Sequence, residues 1–241
     1  MFPLKDDNPL RSTPVMTLLI IGANLLVFVW QLGQGPTREY GLLAFAMVPR
    51  ALAETFGLDV PPLLDPTAAR LYLAYDPPLP VPATVVTSMF LHGGWLHLLG
   101  NMWSLWIFGN NVEDEIGPGG FLVFYLTSGV SAAITQAAVN PGSPVPMVGA
   151  SGAIAGVLGA YLLRFPKARI LTVVPLILAW VVWIPAGVWL VVWFVGQILS
   201  SLGGGTGVAW YAHIGGFVAG MLLGPVFMGA RRRRVPTPRL R

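Results

Sequence analysis

Long apolar runs without charge, separated by short polar or proline-rich pieces, set the pattern of this chain. Residues 14–32, 85–108, 121–139, 147–163, 185–202 and 208–228 contain no Asp, Glu, Lys or Arg. The first of them, as a helix rising ~1.5 Å per residue, reaches roughly 28 Å, enough to span a bilayer. It is too long for the apolar region of a signal peptide and no A-x-A-like site follows it, so the pattern predicts a retained first helix. Residues 170–202 form one longer uncharged stretch, interrupted by Pro175 and Pro185. Two crossings would need ~40 residues plus a turn, which leaves one crossing at 185–202 preceded by a partly embedded connection. Residues 33–86 read as a long first loop with apolar pieces on or in the membrane surface. The expectation is an all-α polytopic membrane protein with six transmembrane helices and a partly embedded first loop. A short tail (1–13), a membrane domain (14–229) and a basic C-terminal tail (230–241) make up the chain.

Composition agrees with the pattern. Charged residues make up 10% of the chain and hydrophobic ones 55%, where a soluble domain carries about 25% charged. The net charge of +4 does not argue for nucleic acid, because Arg231, Arg232, Arg233 and Arg234 directly follow an apolar run and read as a cytoplasmic anchor. Arg164, Lys167 and Arg169 follow the fourth run. With six spans these two basic regions share a face, which places both termini in the cytoplasm. Seven spans would separate them. The chain has no cysteine, which excludes disulfides and thiol chemistry. Short tails and the lack of a transit-like leader point to a bacterial plasma (inner) membrane.

This topology brings polar groups to one depth. The second, fourth and sixth spans enter from the outer side, and each carries its main polar group near that end: His97 and Asn101, Ser151, and His213. Ionisable residues inside a membrane are costly and mark functional sites. His97 and Asn101, four apart, share a helix face, and His92 falls off that face, at the helix mouth, where it would hold a loop. Ser151, Ala155 and Gly159 form a small-residue stripe flanked by Gly152, Gly156 and Ala160; His213, Gly216 and Gly220 form another. Small residues at such spacing let membrane helices approach closely, which would bring hydroxyl and imidazole within hydrogen-bond reach.

A serine needs a base, and a neutral imidazole supplies one. No span holds a carboxylate, so the pair is a dyad rather than a triad. His97, Asn101 and the Ser151 N–H at a helix start can receive an oxyanion, and Gly149 and Gly152 leave that loop free to expose its amides. Singly, Ser151 reads as a helix cap, His213 as a polar bond to a neighbouring helix and Asn101 as interhelical glue. Together at one depth they read as catalytic.

The segments His92-Gly93-Gly94-Trp95-Leu96-His97-Leu98-Leu99-Gly100-Asn101-Met102, Gly149-Ala150-Ser151-Gly152 and Ala212-His213-Ile214-Gly215-Gly216-Phe217-Val218-Ala219-Gly220 resemble the three signatures of the rhomboid intramembrane serine proteases. Asn111-Val112-Glu113-Asp114-Glu115-Ile116-Gly117 resembles that family's second loop. The resemblance implies a six-helix rhomboid-like bundle and peptide cleavage in or near transmembrane segments of protein substrates. It makes Ser151 the nucleophile, His213 the base, and His97, Asn101 and the Ser151 amide the oxyanion hole, with no cofactor and no metal. His92, Gly149, Gly152, Gly216 and Gly220 would support them, with lipid and substrate helices as partners. The chain departs from the family pattern in two ways: Ala83-Thr84 replace a Trp-Arg pair in the first loop, and Ala155 replaces an aromatic residue that stacks on the base. The competing readings are a rhomboid-like protein that binds transmembrane helices without cutting, opposed by the intact Ser151 and His213, and a metal or haem transporter using the histidines, opposed by the lack of Cys and intramembrane carboxylates.

Overall fold

In the computed structural model the described residues are 1–175, 179–203 and 207–234; positions 235–241 of the expected basic tail lie outside them. The chain is mostly helical. After α1 (Val15–Gly33), the long first connection holds four short helices, α2 (Arg38–Phe45), α3 (Pro49–Thr55), α4 (Pro66–Leu73) and α5 (Val81–Thr87). Next comes one continuous helical path, α6 (Trp95–Ser104), a π-helical segment (Leu105–Gly109) and α7 (Asn110–Ile116). Then follow α8 (Pro118–Val139), α9 (Ser151–Arg164), α10 (Ala186–Leu202) and α11 (Trp210–Arg234). Among the described residues three helices, α1, α8 and the Trp210–Gly229 part of α11, are long and apolar enough to cross a membrane, and α9 and α10 are shorter apolar helices. Their outward faces carry exposed Leu26, Val29, Leu199, Leu222 and Val226, a surface suited to lipid acyl chains and costly in water.

The bundle is built around α9, in which every residue from Gly152 to Tyr161 is buried. It lies against α8, α10, α11 and the π-helical segment. The α9–α11 contact is backbone on backbone: a Cβ on Gly216 would strike the Gly152 carbonyl, one on Gly220 the Gly156 carbonyl, and one on Gly159 the Phe217 carbonyl. No other residue type allows that approach, and dispersion between closely packed main chains drives such pairing in lipid.

Several boundaries differ from the sequence expectation. The helix of the second apolar run begins at Trp95 rather than near residue 85, because residues 85–90 belong to α5 and a 3-10 turn (Ser88–Phe90). The break at Leu91 to Gly94 has a visible cause: the Gln31 side chain takes both the His92 amide (3.0 Å) and the His92 carbonyl (3.2 Å), which a continuous helix would use itself. The fourth helix begins at Ser151 rather than residue 147. Its lead-in is extended, with Met147 paired to Met47 and the Gly149 amide bonded to the Ser88 carbonyl at 2.8 Å.

The acidic triplet Glu113-Asp114-Glu115, in the segment that resembles a family loop, is helical and ties three elements together. Glu113 is buried and accepts bonds from the Met16 amide (2.8 Å), the Thr17 amide (2.7 Å) and the Thr17 hydroxyl (2.7 Å). A carboxylate there complements the positive end of α1. Glu115 pairs with Arg11 (3.2 Å) and Arg164 (3.0 Å), joining the start of α1 to the end of α9.

The all-helical expectation is corrected by a three-stranded antiparallel sheet, β1 (Phe2–Asp6), β2 (Arg169–Pro175) and β3 (Ala179–Pro185), in that order. The register pairs Asp6 with Ile170, Ile170 with Ile184 and Val173 with Val181. The β-branched run of Ile170, Thr172, Val173, Val174, Val181, Val182 and Ile184 fits strands, and hairpin pairing satisfies the backbone that a loose embedded connection would leave bare. Residues 2–6 are therefore docked rather than a free tail. The Tyr161 hydroxyl (2.6 Å) and Asn111 amide (3.0 Å) donate to Asp6, the Trp103 indole N–H to the Pro3 carbonyl (2.6 Å), and Arg169 pairs with Asp7 (2.8 Å).

Within the first connection, Met47, Leu52, Val85 and Met89 pack on Ala133 and Ala137 of α8. Arg50 reaches the Pro61 carbonyl (2.7 Å), pairs with Glu54 (2.8 Å) and lies over the Tyr72 ring, whose hydroxyl bonds Glu54. Those side chains anchor the loop, and Thr84 is buried with its hydroxyl donating to the Val81 carbonyl (2.6 Å).

Candidate active site

Ser151 is the first residue of α9 and His213 the fourth of α11, so the starts of two helices in backbone contact deliver hydroxyl and imidazole to one point. His213 Nε2 lies 2.8 Å from Ser151 Oγ. The two groups border a cavity of about 600 Å³, also lined by His97, Asn101, Gly149 and Trp193. The amides of a helix's first turn have no intrahelical acceptor, so the Ser151 N–H end of α9 faces this space with the positive end of the helix dipole.

His97 and Asn101 reach the cavity from successive turns of α6. The Gly93 amide donates to His97 Nδ1 at 3.4 Å, which makes Nδ1 the acceptor and leaves the proton on Nε2. Asn101 Nδ2 has no protein partner among the described residues although it is buried. Both donors point toward Gly149. That glycine has φ 120°, a conformation side-chain-bearing residues rarely adopt, and a Cβ on it would meet His97 Nε2 and Cε1 at 2.7 Å. Here glycine is required twice, by the turn and by the space.

His92 is buried at the mouth of α6, its ring edge-on to His97 at 5.0 Å. Its backbone is held on both sides by the Gln31 side chain. Gly152 lies against Ala132 of α8 and Ala212 of α11, and Gly216 and Gly220 meet α9 as described. The predicted site residues thus gather at one place, with His92 and the distal glycines in the surrounding structure rather than on the cavity wall.

Three neighbours of His213 escaped the sequence reading. Gln197 Oε1 of α10 lies 2.7 Å from His213 Nδ1. Trp193, one turn earlier on α10, places its ring 6.0 Å from the imidazole at 33°, and Trp210 stands edge-on at 6.1 Å. Ala155, fully buried, contributes no ring, so tryptophans from α10 and α11 flank the base in its stead. The signal in the sequence was the i, i+4 spacing of Trp193 and Gln197 in an otherwise apolar run.

The Rhomboid domain family model matches residues 82–230. The chain is 29% identical over 150 residues to rhomboid protein 1, mitochondrial, of Saccharomyces cerevisiae, covering 58% of this chain and 40% of that protein. It is 44% identical over 78 residues to the rhomboid protease GluP of Bacillus subtilis, 32% of this chain and 15% of that one. Over 149 residues it is 34% identical to rhomboid-like protease 5 of Toxoplasma gondii, 58% of this chain and 16% of that protein. The matched region spans less than half the length of each of these relatives. With the domain matched over more than half of its own length, and apolar helices able to cross a bilayer, the chain belongs to the rhomboid family of integral membrane proteins.

Proposed function

We propose that this protein is an intramembrane serine endopeptidase that cleaves peptide bonds in or near transmembrane segments, using Ser151 as nucleophile and His213 as general base. The observation that carries this reading is the 2.8 Å contact between His213 Nε2 and Ser151 Oγ at the wall of an accessible cavity. Ser151 Oγ attacks the scissile carbonyl as its proton passes to His213 Nε2. The oxyanion is received by the Ser151 N–H, His97 Nε2–H and Asn101 Nδ2–H. His213 then returns the proton to the leaving amine, and water repeats the cycle on the acyl-enzyme.

In this reading six elements cross the bilayer: α1, the α6–α7 path, α8, α9, α10 and α11. The basic segment after α9 and the arginines ending α11 lie on the cytoplasmic face, as in a bacterial plasma membrane, and the serine opens toward the other side. Substrates are membrane proteins whose helices unwind readily near the cut, rich in Gly, Pro or β-branched residues. The test is cleavage of a panel of transmembrane substrates in proteoliposomes. Ser151→Ala and His213→Ala should each lose at least about 10³-fold in rate. Variants that cut as well as wild type would overturn the assignment.

A further inference from the structure

We propose that Gln197 is a positioning residue for His213: its side-chain carbonyl holds the imidazole in the one neutral tautomer whose Nε2 can accept the Ser151 proton. The inference rests on the dyad reading above and adds a third, uncharged partner to it.

The Gln197 amide has one acceptor and two donors. Its Nε2 donates to the Trp193 carbonyl at 3.3 Å, one turn back on α10. Reversing the amide would set its oxygen against that carbonyl, so the bond fixes which end faces the histidine. The end facing it is Oε1, 2.7 Å from His213 Nδ1. A carbonyl oxygen cannot donate, so the proton of the contact resides on Nδ1. A neutral imidazole has one ring proton, and Nε2 is therefore a bare lone pair 2.8 Å from Ser151 Oγ. The other tautomer would aim an N–H at the serine and a lone pair at the Gln197 oxygen.

As Ser151 attacks, its proton moves to Nε2 and the ring becomes an imidazolium. The Nδ1–H stays donated to Gln197 Oε1 and gains strength as a charge-assisted bond. The proton leaves again from Nε2 to the departing amine, and Gln197 itself never takes one. A neutral amide performs the orienting task where a carboxylate would be a costly charge within the bilayer. Gln197 is buried, and its own helix also supplies Trp193 beside the imidazole. The base is thus oriented from α10, a different helix from those that carry the nucleophile and the base.

The test is nitrogen-15 NMR of histidine-labelled full-length protein in detergent; the chain holds 3 histidines, which single His→Gln variants assign. It is paired with kcat and KM for Gln197→Leu and Gln197→Glu. Wild-type His213 should show a protonated Nδ1 and a bare Nε2. Gln197→Leu should lose that preference, with kcat falling about 10- to 10³-fold and KM little changed. Gln197→Glu, which restores an acceptor, should recover kcat to within about tenfold of wild type. Wild-type His213 protonated on Nε2, a leucine variant with wild-type kcat, or equal losses of activity and thermal stability in both variants would overturn the inference. Wild-type protein that cleaves no substrate would count against the proposed reaction instead, and the ring spectrum would still decide the role of Gln197.

Discussion

Replacing Gly220 with alanine tests how far catalysis depends on backbone contact between α9 and α11. The added methyl would overlap the Gly156 carbonyl oxygen and lie 2.5 Å from its carbon and 2.6 Å from its Cα. All three are main-chain atoms within a fully buried stretch of α9, so no side chain can swing aside. Restoring ordinary contact requires the helices to separate by roughly 1 Å at this level. Overpacking of this kind costs about 1–3 kcal/mol. The larger effect is on geometry, since the same two helices carry Ser151 and His213. A spacing of 2.8 Å opened by such a shift is no longer a hydrogen bond, and misplacement of about 1 Å lowers rates by about 10²-fold. The assay is substrate cleavage in proteoliposomes with thermal unfolding in detergent alongside. Gly22→Ala in α1, where an added Cβ meets nothing within 4 Å, serves as control and should retain both activity and stability. A Gly220→Ala protein as active as the control would refute the idea that this contact sets the dyad spacing.

Further outcomes follow from individual residues. Gly149→Ala forces a side chain into a left-handed backbone position and against the His97 ring; kcat should fall by about 10²–10³-fold with KM little affected, as steady-state kinetics would show. Asp6 has its carboxyl pushed up from 3.8 to about 6, chiefly because burial disfavours its charged form. The folded chain therefore keeps a proton that the unfolded chain releases, so this stabilising contribution is full below pH 3.8 and is lost as pH rises through about 6. With solvent screening at this partly exposed group the effect is about 1–2 kcal/mol. The stability of wild type against unfolding should fall across that window relative to Asp6→Asn, and parallel pH curves would contradict it.

How much of this the sequence disclosed depends on the range of the interactions. The convergence of Ser151, His213, His97 and Asn101 was legible because each stands near the same end of its span, and because glycines recur along the faces that meet. These are local periodicities. The sheet was not legible: β1 pairs with a strand more than 160 positions away, and β2 and β3 carry apolar residues at consecutive positions (Val173-Val174, Val181-Val182-Trp183), so neither shows the strict alternation that marks a strand. The start of α6 was obscured because the apolar run continues through residues 85–91, and the interruption is imposed by Gln31 from another helix. Gln197 gave no sign of its role, since its partner His213 stands 16 positions on, in another helix. Trp193 was missed for the same reason: the sequence showed that Ala155 lacks a ring but not which helix would provide one.

The most direct measurement of the central claim is covalent labelling by a serine-directed fluorophosphonate, with the modified residue mapped by mass spectrometry. The account predicts that the wild-type protein is labelled at Ser151, and that His213→Ala is not labelled, although Ser151 is still present. Labelling of His213→Ala at the wild-type rate, or modification at another serine, would contradict it.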